Sequence, residues 1–126
     1  VVAGDVNELS RRVIGCVIEV HRHLGPGLLE SAYEDCLCHE LSLEGIVHER
    51  QVPLPIAYKG LSVAGAYRID LVVEGQIVVE IKAADRLMQA HEAQLLTYLR
   101  LSGMRLGLLL NFNHAVLKDG IKRLTF

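Results

Sequence analysis

Asp70, Glu80 and Lys82 are the residues of this chain whose types and spacing best suit chemistry. They fall in the segment Tyr67 to Lys82, Y-R-I-D-L-V-V-E-G-Q-I-V-V-E-I-K, where two apolar runs flank the turn signal Glu74-Gly75 and predict a β-hairpin. Strand side chains switch faces at every residue, so Ile69, Leu71, Val73, Ile77, Val79 and Ile81 form one apolar face and leave Asp70, Glu80 and Lys82 together on the other. Two carboxylates supply hard oxygen ligands for a divalent cation, and an ammonium beside them neutralises a phosphate. That set suits metal-assisted hydrolysis of a phosphodiester, with Mg²⁺ as the expected ion, Mn²⁺ as its alternative, and the Ile81 carbonyl as a further oxygen ligand. Glu-x-Lys on a strand also occurs as an ordinary solvated face, and the reading gains weight here from the apolar residues on either side and from Asp70 on the same face. The shared face demands a hairpin loop with an odd number of residues or a bulge that restores the parity. A loop Val73-Glu74-Gly75 with Gly75 in the left-handed region meets that demand.

The elements that must position these residues are legible from periodicity. Asp5 can cap a first helix whose apolar positions Val6, Leu9, Val13, Val17, Val20 and Leu24 recur at helical spacing until Gly25-Pro26-Gly27. A second helix is predicted over about 28–44, with Leu29, Tyr33, Cys36, Leu37 and Leu41 as its buried stripe and Gly45 as its stop. A β-like stretch over 46–58 contains Pro53 and Pro55, which cannot donate to a ladder, so part of this strand has a free edge. Lys59-Gly60 turns the chain into a second strand over 61–73, and a third over 76–82 completes a meander. Asp85 can cap a third helix over about 86–102, closed by Gly103. The nearly unbroken apolar run 105–112 then suits a strand buried on both faces and parallel to the third, and 120–126 an edge strand. The order describes an α/β domain, residues 1–126, with a mixed sheet flanked by helices on both faces.

Composition sets the outer bounds. With 126 residues, 51% of them hydrophobic, the chain is long enough to bury a core without staples, and disorder is excluded. No apolar run approaches a bilayer-spanning length, and no basic segment leads into an apolar one at the start; a cytoplasmic protein is expected. Cys16, Cys36 and Cys38 are odd in number and lack paired zinc spacing, which makes them reduced structural thiols. A formal net charge of −2 gives no general field for nucleic acid. Local cations remain in Arg22 with His21 and His23, in Arg86, and in Lys118, Lys122 and Arg123, each of which also reads as an ordinary solvated charge.

Two further groups bear on the same chemistry. His91, Gln94 and Tyr98 share a face of the third helix, whose early turns follow the Glu-x-Lys strand directly. Gln94 can hydrogen-bond the lysine or a water and Tyr98 a phosphate, while His91 is equally a surface residue. Upstream, Glu30 and Tyr33 open the second helix; a dipole-stabilising glutamate and a core tyrosine explain them as well.

Gly27-x-x-Glu30-x-x-Tyr33, followed by Asp70, Glu80-x-Lys82 and Gln94-x-x-x-Tyr98, resembles the GxxExxY family, a small branch of the PD-(D/E)XK nuclease superfamily. The resemblance spans about 9–112 and implies a restriction-endonuclease-like helix, three-strand meander, helix and strand core with an extra N-terminal helix. It implies Asp70 and Glu80 as metal ligands, Glu30 as an additional acidic member grouped with them at the metal, Lys82 as the catalytic lysine, and Gln94 and Tyr98 as supporting groups. Ile69 stands where the superfamily name has proline. The leading expectation is a Mg²⁺-dependent deoxyribonuclease. The alternatives are a non-catalytic nucleic-acid-binding or assembly module on the same fold and a hydrolase of another phosphate ester. A homodimer or a larger protein partner is expected, because one small domain cannot enclose a duplex. Glu30, Gln94 and Tyr98 are expected to approach the trio from helices on one side of the sheet.

Overall fold

The computed structural model describes residues 6–65 and 67–126, and the predicted Asp5 cap lies outside them. Helix α1, Val6–Leu24, buries Leu9, Val13, Val17 and Val20 of the expected stripe together with Cys16, whereas Leu24 at its end is exposed. It ends where Gly25 enters the left-handed region at φ +67°, with its N–H donating to the His21 carbonyl at 2.8 Å. Helix α2 runs over Glu30–Leu43, two residues later than predicted, and Leu29 before it is exposed rather than buried. Tyr33, Leu37, Cys38 and Leu41 form its inner face. The three cysteines are free, and burial pushes the Cys16 and Cys38 thiols up to about 11, which keeps them protonated and unreactive.

The predicted meander is present, but its first two strands are each divided. Strand β1, His48–Pro53, stops at the prolines; β2, Ile56–Tyr58, and β3, Leu61–Val63, form a separate small hairpin; β4, Arg68–Val73, returns to pair with β1. Strand β5, Ile77–Lys82, follows, then helix α3, Gln89–Ser102, strand β6, Leu106–Asn111, a short 3-10 turn, Leu117–Gly120, and strand β7, Ile121–Thr125. The main sheet has the order β1-β4-β5-β6-β7, with β6 parallel to β5 and the other neighbours antiparallel. Strands β5 and β6 are central and nearly wholly buried, as strands covered on both faces must be. The fold is α/β, with three α-helices and a mixed five-stranded sheet among the described residues.

One side of the sheet packs against α1 and α2 through Leu71, Val73, Ile77, Val79, Ile81, Leu108 and Leu110. The other packs against α3, where Val72, Val78 and Leu109 meet Leu95, Tyr98 and Leu99. Helix α3 sits so close that a Cβ on Gly107 would lie 2.8 Å from the Leu95 side chain. Each fully buried Leu, Ile or Val contributes about 1.5–3 kcal/mol relative to exposure, so these two layers supply the main drive for folding. Ile69 departs from expectation: it packs with Val52 in the α3 layer, not with Leu71 and Val73. The face changes at Asp70, where β4 stops pairing with β5. No helix among the described residues is long and apolar enough to cross a membrane.

Candidate active site

The hairpin between β4 and β5 has two unlike ends. Near the turn, Leu71, Val72 and Val73 pair with Val79, Val78 and Ile77. The loop is therefore Glu74-Gly75-Gln76, with the odd count that the shared face requires but shifted one residue from the predicted loop. Glu74 and Gly75 both take positive φ, +52° and +65°, and the Gln76 N–H closes on the Val73 carbonyl at 2.9 Å. Glu74 tolerates the left-handed region because its carboxylate accepts the Val47 N–H at 2.9 Å while its own N–H donates to the Val47 carbonyl.

At the far end the regular pairing gives way to a reciprocal clip. The Asp70 N–H donates to Glu80 Oε2 and the Ile81 N–H donates to Asp70 Oδ2, both at 2.8 Å. Each carboxylate thus satisfies a backbone donor of the opposing strand, an obligatory partner where strands separate inside a protein. Glu80 is only 3% exposed, and Asp70 is half-buried. Burial, reinforced by the neighbouring Asp70 charge, pushes the Glu80 carboxyl up to about 8. Burial likewise raises Asp70, against the opposing pull of the Ile81 N–H and of Lys82. Two adjacent, desolvated carboxylates held by backbone bonds are poorly stabilised as anions without a cation.

Lys82 ends β5 and donates to Gln94 Oε1 at 3.1 Å; Gln94 Nε2 in turn donates to the Tyr98 hydroxyl at 3.2 Å. The chain of bonds joins the strand to α3 and leaves the Tyr98 proton available to another acceptor. Burial, then the charges of Glu80 and Asp70, raises the Tyr98 pKa, so the phenol stays protonated. An apolar cavity of about 310 Å³ opens beside these two residues, lined also by Ile56, Tyr67, Ala93 and Thr97.

Glu30 arrives from elsewhere. Helices α2 and α3 cover opposite faces of the sheet, so the expectation that Glu30, Gln94 and Tyr98 approach from one side is corrected. The crossover from β5 to a parallel β6 carries α3 to the face that α1 and α2 leave open. Glu30 instead reaches around the end of the sheet, where Oε2 accepts the Ala83 N–H at 3.3 Å. Its placement follows from Tyr33, which is fully buried, stacks on Phe112 at 4.4 Å, donates to the Gly25 carbonyl at 2.6 Å and accepts the Leu28 N–H at 3.1 Å. Tyr33 therefore fixes the loop that starts α2 and presents Glu30.

Several residues around the site carried no signal strong enough to single them out. Asn111 is fully buried at the end of β6, and its amide bonds both the N–H and the carbonyl of Ala84 at 3.0 Å, anchoring the chain just past Lys82. A polar residue just before the end of the apolar run 105–112 is the available clue. Gln51 lies beside Asp70 and donates to the buried Glu34, and only three-dimensional proximity reveals the two. His91 accepts the Met88 N–H through Nδ1 at 2.9 Å and so stabilises the start of α3, which begins at Gln89 rather than after Asp85. The other candidate cations are largely engaged locally: Arg22 and His23 with Glu19, Lys122 with Glu92, and Arg123 with Asn7.

The donor set fits a divalent cation. Asp70 and Glu80 provide adjacent oxygen donors, and among the described residues no three His, Cys, Asp or Glu side chains converge to enclose an ion unaided. Two protein carboxylates with the remaining positions left to water and substrate suit Mg²⁺, which dehydrates reluctantly. No curated protein and no solved structure gives a significant match to the chain. A family model described as the PD-(D/E)XK nuclease superfamily matches residues 7–124. The matched segment runs from within the first turn of α1 into β7, its mixed five-stranded sheet is compatible with a nuclease-like fold, and the chain belongs to the PD-(D/E)XK nuclease superfamily.

Proposed function

We propose that this chain is a Mg²⁺-dependent nuclease that hydrolyses phosphodiester bonds of DNA. The observation that carries the reading is the placement of Asp70, Glu80 and Lys82 where β4 and β5 part, beside the Gln94–Tyr98 pair. Asp70 and Glu80 would hold the ion, with Mn²⁺ able to replace Mg²⁺, and Glu30 would act as a further acid at the rim of the cleft. When bound, the cation supplies Lewis-acid stabilisation of the phosphorane and a more acidic attacking water.

The side chains divide the remaining work. Lys82, steered by Gln94 Oε1, places an ammonium against the scissile phosphate or its attacking water. Tyr98 receives its hydrogen bond from Gln94 and keeps its own proton to donate to a phosphate oxygen. Both offset charge that grows as the water oxygen attacks phosphorus and the leaving oxygen departs, which is where fixed donors lower a barrier most. Membership of the GxxExxY branch rests on Gly27, Glu30 and Tyr33. Supporting it, Gly27 sits at φ +102°, a conformation that favours glycine, and Tyr33 secures the loop around it.

Incubation of the purified protein with supercoiled, linear and single-stranded DNA and with RNA, each with Mg²⁺, Mn²⁺ or EDTA, tests the proposal. DNA cleavage that EDTA abolishes is the expected result. Binding without cleavage in every condition would replace it with the non-catalytic module, and cleavage of RNA alone would reassign the substrate.

A further inference from the structure

We propose that Gln51 is a positioning residue for Asp70, held in a strained backbone conformation so that its amide ties the Asp70 carboxylate to the buried acid Glu34. The inference rests on the reading of Asp70 as a site carboxylate and adds a residue outside every motif named above. Gln51 lies inside β1 at φ +51°, in the left-handed region, where an L-residue with a side chain is strained. Strain of this kind persists only where the surroundings over-determine it.

The surroundings here are specific. Arg50 Nε donates to Glu34 Oε2 at 3.0 Å, and Gln51 Nε2 donates to Glu34 Oε1 at 2.9 Å. Successive residues of a regular strand point to opposite faces and cannot both reach one carboxylate. The left-handed turn at Gln51 removes that alternation. It also brings Nε2 to Asp70 Oδ1 at 3.5 Å, a long contact, while Asp70 Oδ2 takes the Ile81 N–H. The two oxygens of Asp70 therefore face two different anchors, the backbone of β5 and the amide of Gln51. Around this point Arg50 still pairs with Leu71 and Val52 with Ile69, yet Leu71 packs under α1 and α2 while Ile69 packs under α3. Gln51 and Asp70 thus mark the place where the β1–β4 ribbon turns over and leaves β5.

Gln51→Gly separates strain from function, because glycine adopts the left-handed region freely and lacks the amide. Gln51→Asn is its companion: asparagine tolerates the same backbone, but its amide is one methylene short. In the metal-free protein both variants should melt no lower than the wild type, while the Ile81 amide, which donates to Asp70, exchanges with solvent about tenfold faster and the amides of Val78 and Val79 are unchanged. Calorimetric titration with Mn²⁺ should show affinity about tenfold weaker or worse, in the range that supporting residues contribute. Wild-type Ile81 protection in the variants overturns the proposal, as does general loosening that also reaches Val78 and Val79. Faster Ile81 exchange with unchanged Mn²⁺ affinity overturns it too. If the wild type itself binds no Mn²⁺, the metal-dependent function falls separately and the Ile81 exchange alone decides the role of Gln51.

Discussion

The β4–β5 hairpin contains both the most regular and the least regular pairing around the site, within a few residues of each other. From Leu71 to Val73 and from Ile77 to Val79 the strands pair in register, every side chain is buried, and no charge intervenes. At Asp70 and Glu80 carboxylates take over from carbonyls as acceptors of backbone N–H groups across the gap. The paired half supplies rigidity, and the parted half holds polar groups that the sheet alone cannot neutralise. A charged cluster can be carried by a central strand because the sheet opens locally while its neighbours remain packed. Lys82 and Gln94 extend the opening toward α3, and Glu30 bounds it from the α2 side.

Substitutions on the two halves should fail in different ways. The largest effect is expected in the parted half: Asp70→Asn and Lys82→Ala should each lower DNA cleavage by at least about a thousandfold, equivalent to about 4 kcal/mol of barrier. They should differ in a second assay, since Asp70→Asn also removes the metal-induced rise in melting temperature and Lys82→Ala keeps it. An undiminished metal response in Asp70→Asn would remove Asp70 from the ligand set. In the paired half, Leu71→Ala should destabilise the fold by about 3 kcal/mol in denaturant titrations, with cleavage per folded molecule nearly unchanged. Loss of specific activity well below its unfolding midpoint would show that the two halves are not separable.

Metal should act on the parted half alone. At a hundredfold excess over its dissociation constant Mg²⁺ should stabilise the native state by about 2.7 kcal/mol, seen as a raised melting temperature that EDTA reverses. The smallest effect per unit change is with pH. Glu80 is raised from an ordinary value of 4.5 to about 8 in the folded chain, so the folded state binds its proton more tightly than the unfolded state. The associated stability is full below about 4.5 and is lost as pH rises through about 8, with Asp70 shifted in the same direction. Metal-free protein should therefore lose up to about 1.4 kcal/mol per pH unit per proton across that window, and saturating Mg²⁺ should flatten the slope. A metal-free stability that rises with pH between those values would contradict the burial assigned to Glu80.

The regular half of the hairpin was the readily legible part. Alternation placed Leu71, Val73, Ile77, Val79 and Ile81 on one face, and parity alone required an odd loop, because a slip of one residue moves every side chain to the other face. The helical stripes of α1 and most of α2, the apolar β6 and the edge strand β7 were equally plain from period and glycine stops. Alternation misplaces Ile69 because it assumes an unbroken strand, and β4 turns over at Asp70. Gln51 had no local signal: a left-handed residue inside a strand is imposed by Glu34 and Asp70, which are distant in sequence. Helix α3 starts later than the cap signal at Asp85 implies, because His91 supplies the bond to Met88 instead. The relation of Glu30 to the trio depended on which face each helix covers, and that follows from the crossover rather than from the motif.

Diffraction from crystals soaked in Mn²⁺, with an anomalous difference map, tests most directly the claim that the parted end of the hairpin is a metal site. The expected peak lies between the Asp70 and Glu80 carboxylates and disappears in Asp70→Asn. A map with no peak there, at a Mn²⁺ concentration that raises the melting temperature, would contradict it.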